Sequence, residues 1–262
     1  MSNVRIFPVM LIMLLLSSCT LVTLQGSGNV IRETREVSDF ERVDVCCGMQ
    51  VVLTQGDQEQ LVLEGDDNIL PEVETVVRGG TLTVHFRRNL GGLRLRLSRP
   101  VIVHLQIETI RGITISGGGS LETDRIETDR VEMEFSGGSR ATIGELQAGI
   151  ATLNASGGGQ IDIDNLTVDT LNVVVSGGSR MTVGEGVATA QRVVVSGGGR
   201  YLASGLQSET ATLEVSGGSD AEVWVTEALN VQASGGSQVE YRGNPSIEQE
   251  LSGGSDLLSV DR

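Results

Sequence analysis

Residues 112–262 repeat one pattern of apolar and polar positions. Short runs such as "MTV" and "LNVVV" are rich in β-branched residues, and a Ser-Gly-Gly triplet follows each repeat. Alternation with period two is typical of a β-strand that buries one face. The triplets are spaced by 20, 20, 20, 20, 20, 18 and 18 residues and begin at Ser116, Ser136, Ser156, Ser176, Ser196, Ser216, Ser234 and Ser252. A fixed period of this length indicates a repeat architecture.

Apolar residues recur at the same places in successive repeats. If each repeat is one coil, the coils stack about 4.8 Å apart and these residues form columns that fill the interior. The sequence therefore predicts an all-β fold, a right-handed parallel β-helix with coils of about 20 residues, because parallel crossovers are nearly always right-handed. An antiparallel sandwich or barrel is the alternative, but hairpins have no reason to keep this register. The columns are Met133, Leu153, Val173, Val193 and Leu213, then Ile126, Leu146, Leu166 and Leu206, then Val131, Ala151, Leu171 and Ala211.

The Ser-Gly-Gly triplet is expected to form one corner of each coil. Glycine adopts positive φ without a Cβ penalty, and small residues also avoid their copies in the next coil. The fourth position is glycine or serine, and we expect its serines to form a ladder of hydroxyl groups. The residues assigned to corners are Ser116, Gly117, Gly118, Ser136, Gly137, Gly138, Ser156, Gly157, Gly158, Ser176, Gly177, Gly178, Ser196, Gly197, Gly198, Ser216, Gly217 and Gly218.

The first residues have the pattern of a targeting segment. An apolar run over 6–16 follows Arg5 and leads into "LSSC", which ends at Cys19. The run is shorter than the roughly 20 residues that span a bilayer and fits the core of a signal peptide. "LSSC" resembles the bacterial lipobox, which implies cleavage before Cys19 and its acylation. We expect a signal peptide over 1–18, a lipidated Cys19 with a tether over 19–27, and one β-helix domain over 28–262. An ordinary secretory signal is the alternative.

The net charge is −15, and its distribution along the chain is uneven. An acidic chain is a poor partner for nucleic acid, and none is expected. Residues 78–111 nevertheless contain seven arginines and one acidic residue, whereas residues from 112 onward contain eight arginines and twenty-one acidic residues. Alternation in "LRLRL" places its arginines on one strand face. The candidate anion patch, for lipid head groups or acidic glycan, is Arg87, Arg88, Arg94, Arg96 and Arg99; a solvated strand face paired with acidic residues is the alternative.

The mature chain has two cysteines, Cys46 and Cys47, which are adjacent. We expect two partly buried thiols, with a disulfide as the alternative in an oxidising compartment. A zinc site that adds His85 and His104 is not favoured, since zinc requires separated and preorganised ligands. No metal, cofactor or catalytic residue is predicted. The charged run over 121–130, "LETDRIETDR", is interpreted as a solvated face.

The amino-terminal half carries a family resemblance. The segments "GSGNVIRETREVSDFERVDV" (26–45), "VVLTQGDQEQLVLEGDDNILPEVETVV" (51–77) and "GGTLTVHF" (79–86) resemble the start of the putative auto-transporter adhesin, head GIN domain family. The "SGGS" and "SGGG" steps resemble its continuation, from about residue 28 to the carboxyl terminus. The resemblance implies a secreted or lipid-anchored bacterial protein with a parallel β-helix, and it brings no catalytic residues. "VCCGM" (45–49) departs from the Ser-Gly-like corner expected there.

These features predict a non-catalytic, lipid-anchored module of adhesion or cell-envelope interaction, on the outer membrane or the outer face of the cell membrane. Its expected partners are the membrane, through the anchor, and an envelope polysaccharide or surface protein. One alternative is a scaffold that self-associates end to end as a homo-oligomer through the strand edges of its terminal coils. The other is an enzyme acting on polysaccharide. Within the domain, residues 28–111 are expected as less regular coils and 112–262 as regular ones.

Overall fold

The computed structural model describes residues 23–87 and 94–260. In this part of the chain the regular elements are strands, apart from one 3₁₀ helix at Leu70–Glu72. The strands before the regular repeats are β1 (Thr23–Gln25), β2 (Val30–Arg35), β3 (Arg42–Val45), β4 (Gln50–Gln55), β5 (Gln60–Asp66), β6 (Val73–Arg78), β7 (Thr81–Phe86), β8 (Arg94–Arg96) and β9 (Ile102–Ile107). The strands of the repeats are β10 (Gly112–Ile115), β11 (Ser120–Phe135), β12 (Arg140–Ala155), β13 (Gln160–Ser176), β14 (Arg180–Ser196), β15 (Arg200–Ser216), β16 (Asp220–Ser234), β17 (Gln238–Arg242), β18 (Ser246–Leu251) and β19 (Asp256–Ser259).

The repeats form a parallel β-helix of about seven turns with coils of roughly 20 residues, which confirms the predicted architecture. Each long strand bends twice, so a regular coil has three faces. In β11 the pairing with β12 covers 120–123, 125–128 and 130–135, and these segments are the first, second and third faces. The Ser-Gly-Gly corner joins the third face to the first. Inward residues such as Leu121, Ile126 and Met133 are buried and belong to a single apolar core.

The corners have one conformation throughout the stack. In the eight triplets the first glycine has φ between 59° and 71° and the second between 69° and 86°. A Cβ on Gly157 would lie 3.3 Å from the nitrogen of Gly137 one coil away, so the corner glycines also pack tightly between coils. Serines at the fourth position donate their hydroxyls within their own corners, as Ser139 Oγ does to the carbonyl of Ser136 at 2.6 Å. Neighbouring coils are also linked at this position, since the Ser237 N–H donates to Ser255 Oγ at 3.1 Å.

The amino-terminal part combines one coil with an antiparallel cap. Strands β3 and β4, joined through Cys46–Met49, pair in parallel with β10 and β11 and form the first layer of the stack. Strands β7 and β9 add a parallel layer to β3 and β4, and then β6, β5 and β2 pair antiparallel. Residues 28–111 are therefore only partly coils. Strand β1, expected within a tether, pairs in parallel with β8.

A glutamine closes the amino-terminal edge of the second face. The side chain of Gln55 donates from Nε2 to the carbonyl of Glu127 at 2.9 Å and to that of Glu108 at 3.2 Å. Its Oε1 accepts the backbone N–H of Glu127 at 2.8 Å. The side-chain amide thus satisfies backbone groups that a further strand would otherwise pair.

The carboxyl-terminal end has no comparable cap among the described residues. Strand β18 pairs with β16, and β19 pairs with β17, each on one side only. Ile247 and Leu251 lie in register with the buried Leu229 and Ala233, so they occupy inward positions of the last layer. They remain 41% and 39% exposed because no described coil covers them.

Candidate functional site

An open groove runs along the second face where it meets the third. Its volume is about 800 Å³, and it extends over several coils between Gln55 and Glu209. The groove is recessed because the residues that form its floor, one from each of four successive coils, have short side chains. The floor consists of Thr128, Ala148, Val168 and Ala188, with the exposed side chain of Val187 beside it.

Carboxylates recur along one side of this groove. Asp129, Asp169 and Glu209 occupy equivalent positions on alternate coils, and Gly149 and Thr189 stand on the coils between them. Because coils stack about 4.8 Å apart, consecutive carboxylates lie roughly two rungs, about 10 Å, apart along the axis. No arginine or histidine is among the described residues that line the groove. The groove therefore offers hydrogen-bond acceptors at a regular spacing.

The five arginines of the expected anion patch differ in their surroundings. Arg87 pairs with Glu74 at 3.0 Å and with Glu72 at 3.7 Å, so its charge is locally balanced. Arg94 and Arg96 project from β8 into solvent and make no ion pair with any described residue. Arg99 is exposed, and Arg88 lies outside the described residues, as does Cys19.

The sequence of this chain matches a known protein family. A family model with the description "Putative auto-transporter adhesin, head GIN domain" matches residues 39–245. The chain belongs to this family. Its description is that of an adhesin and names no enzymatic activity. No curated protein matches the chain.

Solved structures share the fold of this chain. One from Parabacteroides distasonis, called a putative lipid binding protein, has a TM-score of 0.86 and 20% identity and covers 91% of this chain and 100% of its own. A putative adhesin from the same organism has a TM-score of 0.85 and 21% identity, with the same two coverages. A putative adhesin from Parabacteroides merdae has a TM-score of 0.80 and 17% identity over 92% of this chain and 100% of its own. At these identities the likeness concerns the fold.

Cys46 and Cys47 are joined in a disulfide, so the expectation of two thiols is wrong. Cys47 stands in the place of a first corner glycine and has φ of 70°. The next corner packs on it, since a Cβ on Gly117 would lie 3.1 Å from the nitrogen of Cys47. The stack of corners begins at Cys46 and Cys47, and no further described corner lies beyond them. A side chain at this position therefore escapes the crowding that excludes one from the later corners.

A buried carboxylate connects the amino-terminal segment to the chain beyond β8. Asp66, which is 1% exposed, accepts the hydroxyl of Ser98 at 2.6 Å, the N–H of Ser98 at 3.0 Å and the N–H of Gly28 at 3.0 Å. The hydrogen bond from the Ser98 hydroxyl, followed by those from the two N–H groups, holds the pKa of Asp66 below its ordinary value in spite of burial. A Cβ on Gly26 would overlap this carboxylate.

A chain of buried hydrogen bonds crosses the core between β14 and β16. The Tyr201 hydroxyl donates to Oε1 of Gln191 at 2.9 Å, and Nε2 of Gln191 donates to Oγ of Ser208 at 2.7 Å. Ser208 in turn donates to the carbonyl of Trp224 at 3.0 Å. Burial raises the pKa of Tyr201. Gln191 interrupts an otherwise apolar column, and that interruption is the sequence signal for this network.

The histidines have separate carboxylate partners. His104 Nε2 lies 3.1 Å from Glu64 Oε2, and His85 Nε2 lies 3.9 Å from Glu74 Oε2. Hydrogen bonds from His104 and then Arg32 lower the pKa of Glu64. Among the described residues no three His, Cys, Asp or Glu side chains are grouped so as to hold a metal ion. The same part of the chain contains no helix with the length and apolarity needed to cross a membrane.

Proposed function

We propose that this protein is a non-catalytic, lipid-anchored extracytoplasmic module that attaches to a polysaccharide of the cell envelope through the groove of its second face. The observation that carries the proposal is the recurrence of Asp129, Asp169 and Glu209 on alternate coils above a floor of small residues. A repeating site is suited to a repeating ligand. The family's description as an adhesin supports a role in attachment.

The chemistry of the groove favours a glycan over other polymers. Carboxylates are acceptors and sugar hydroxyls are donors, so each acidic position can hold one sugar without a counter-charge. The low floor lets a flat ring approach the sheet, and Val187 gives it an apolar contact. Two rungs, roughly 10 Å, is close to the length of two sugar units in an extended chain. Several weak subsites on one strand add up to avid binding.

Attachment without turnover also fits the residues in the groove. The titratable side chains that line it are Glu127, Asp129, Asp169 and Glu209. Glu127 shares a coil with Asp129 and pairs with Arg125 at 2.8 Å, and the described lining contains no histidine, cysteine or arginine. Acid-base chemistry at one bond needs groups that converge on that bond. The proposed anchor is Cys19, which would hold the β-helix at the membrane with its groove available to surrounding polymer.

Binding of the soluble domain to fractionated envelope polysaccharides tests the groove. The test variant is Asp129→Asn/Asp169→Asn/Glu209→Gln. The control variant is Glu122→Gln/Asp162→Asn/Glu222→Gln, which removes three carboxylates from one outward column of the first face. We expect the test variant to bind at least about tenfold more weakly, because three hydrogen bonds of about 0.5–1.5 kcal/mol each are weakened. The control should bind as the unmodified protein does.

Equal weakening of both variants would contradict the groove as the site, since it would show a general effect of charge. Release of shortened sugars during the assay would contradict the non-catalytic part of the proposal. Binding to lipid vesicles alone would replace the glycan by a lipid ligand, the class named for the first solved relative.

A further inference from the structure

We propose that copies of this protein join head to tail, with strand β8 of one copy adding to the free edge of strand β18 of the next. The tail is the outer edge of β18, and the head is the edge of β8 opposite to β1. The groove of the second face lies between these ends and takes no part in the contact.

The tail presents an unpaired strand with a mainly apolar inner side and an acidic outer side. Ile247 and Leu251, with Gln249 between them, face inward without a covering coil. Glu248 and Glu250 lie in register with Asn230 and Gln232, so they face outward. Neither glutamate has an ion pair among the described residues, and Glu248 accepts only a long hydrogen bond of 3.4 Å from Asn230. The free edge of β18 can therefore form backbone hydrogen bonds with another strand, and its two glutamates can pair with cationic side chains on that strand.

The head has the complementary pattern. Strand β8 pairs on one side with β1, and no described strand pairs with its other side. Leu95 and Leu97 are partly buried against the core, whereas Arg94 and Arg96 are exposed and have no described ion-pair partner. The strand thus has apolar residues on the inner side and two cations on the outer side.

Pairing of these two edges aligns their faces. In a parallel register that places Arg94 opposite Glu248, Arg96 lies opposite Glu250; in an antiparallel register the two partners exchange. Either arrangement sets opposite charges across the strands, which is favourable. On the inner side Leu97 then lies opposite Leu251 or Ile247, and Leu95 lies opposite the inward Gln249 between them. The same pairing covers Ile247 and Leu251, which the isolated molecule leaves half exposed.

The glutamates also exclude the most obvious competing assembly. Two β18 edges that pair about a twofold axis bring the outward residues of one strand opposite those of the other, so glutamate meets glutamate in the face-aligned registers that overlap most of the strand. Like charges at an exposed edge are a common defence against such contacts. The remaining contact is heterologous and forms open chains or rings.

A second copy explains more of the structure than an anionic membrane does. Lipid head groups could pair with Arg94 and Arg96, but they would leave the edge of β18 and its apolar residues uncovered. A second copy supplies partners for both ends at once.

Sedimentation velocity of a soluble form that begins at Thr23 tests the proposal. This form keeps every described residue and therefore the whole apolar core. We expect the average sedimentation coefficient to rise with protein concentration, and to rise less at about 0.5 M salt, where charge pairs are screened within a few ångström. A sedimentation coefficient that stays at the monomer value over the whole concentration range would overturn the proposal.

Charge reversal makes the test specific. The tail variant Glu248→Arg/Glu250→Arg and the head variant Arg94→Glu/Arg96→Glu should each remain monomeric alone. Mixed one to one they should associate, because each restores opposite charges at the other's contact. The fourfold variant should associate by itself for the same reason. The control Glu122→Arg/Glu134→Arg makes the same change in net charge as the tail variant, but on the sides of the β-helix, and should associate as the unmodified protein does.

Three results would overturn the head-to-tail contact. The first is unchanged association of the tail or head variant. The second is loss of association in the control, which would indicate a general charge effect. The third is binding of the unmodified monomer to phosphatidylglycerol vesicles that is lost in the head variant but kept in the tail variant, with no self-association; the arginines would then serve the membrane.

Discussion

One buried polar residue, Gln191, introduces hydrogen bonds into an otherwise apolar column of the core. Gln191 occupies an inward position that the neighbouring coils fill with leucine or alanine, and it is 3% exposed. A buried amide is costly unless its oxygen and nitrogen are both hydrogen-bonded. Tyr201 and Ser208 satisfy it from two sides, so these residues act as a unit.

The unit predicts non-additive effects of substitution. Tyr201→Phe removes the donor and leaves Oε1 of Gln191 buried without a partner, which should lower the free energy of unfolding by about 1–3 kcal/mol. Gln191→Leu should lower the free energy of unfolding by a similar amount, because it leaves the buried hydroxyl of Tyr201 without its acceptor. The double variant should cost clearly less than the sum, since Ser208 keeps its bond to Trp224. Urea unfolding of the four proteins measures this coupling, and additive values would show that the residues do not interact.

Residue patterns predicted the interior of the stack well, and its exceptions less well. The columns that include Met133 and Ile126 could be recognised because the period of 20 aligns them. The hydroxyl of Ser139 closes its own corner, a choice that depends on the φ and ψ angles of the turn and not on spacing. The disulfide of Cys46 and Cys47 likewise depends on the conformation of one corner. Contacts between residues far apart in sequence, such as Asp66 with Ser98, carry no local signal.

At the scale of elements, the amino-terminal strands form a different structure from the repeats. Period-two alternation indicates a strand but not its direction, so the antiparallel pairing of β2, β5 and β6 could not be predicted from the pattern. In this region the chain has no fixed period that would fix the register. Side chains hold its long connections in place instead. Asp66 accepts hydrogen bonds from two of these connections, at Gly28 and at Ser98.

The carboxylate of Asp66 predicts how this region responds to acid. Its pKa is lowered in the folded state, so its contribution to stability is complete above the unfolded value of about 3.9 and is lost as the pH falls through the folded value. Asp66→Asn should therefore be less stable than the unmodified protein at pH 6, and the difference should shrink below about pH 4. Thermal unfolding midpoints measured from pH 7 to pH 3 check this.

The exposed Asp57, for which no described hydrogen bond exists, provides the control. Asp57→Asn should follow the unmodified protein across the range. A difference for Asp66→Asn that is independent of pH would show that its hydrogen bonds act through geometry alone and that its ionisation contributes nothing.

At the scale of the whole molecule, the β-helix behaves as a one-dimensional stack in which each coil contacts its neighbours. Stability is then approximately a sum of coil terms and interface terms. Removal of one complete coil deletes one copy of the repeat and stacks its two neighbours directly on each other. The groove responds differently, because the spacing of its carboxylates depends on the number of coils between them.

Deletion of one coil therefore separates folding from binding. Removing 136–155 joins Phe135 to Ser156 in the correct repeat position and leaves Asp129 and Asp169 on adjacent coils. We expect a single unfolding transition with a smaller urea dependence, since less surface is exposed on unfolding. Binding to the envelope polysaccharide should weaken by about tenfold, because the shortened distance between Asp129 and Asp169 no longer matches the repeat length of the sugar chain.

Removing 216–233 instead deletes a coil beyond Glu209 and leaves the groove spacing intact. This shorter protein should also unfold in one transition and should bind as the unmodified protein does. If both deletions weaken binding equally, the length of the molecule matters and the spacing of the carboxylates does not. If neither weakens it, the ligand contacts fewer than two of the acidic positions, and the repeated groove is not what recognises the polymer.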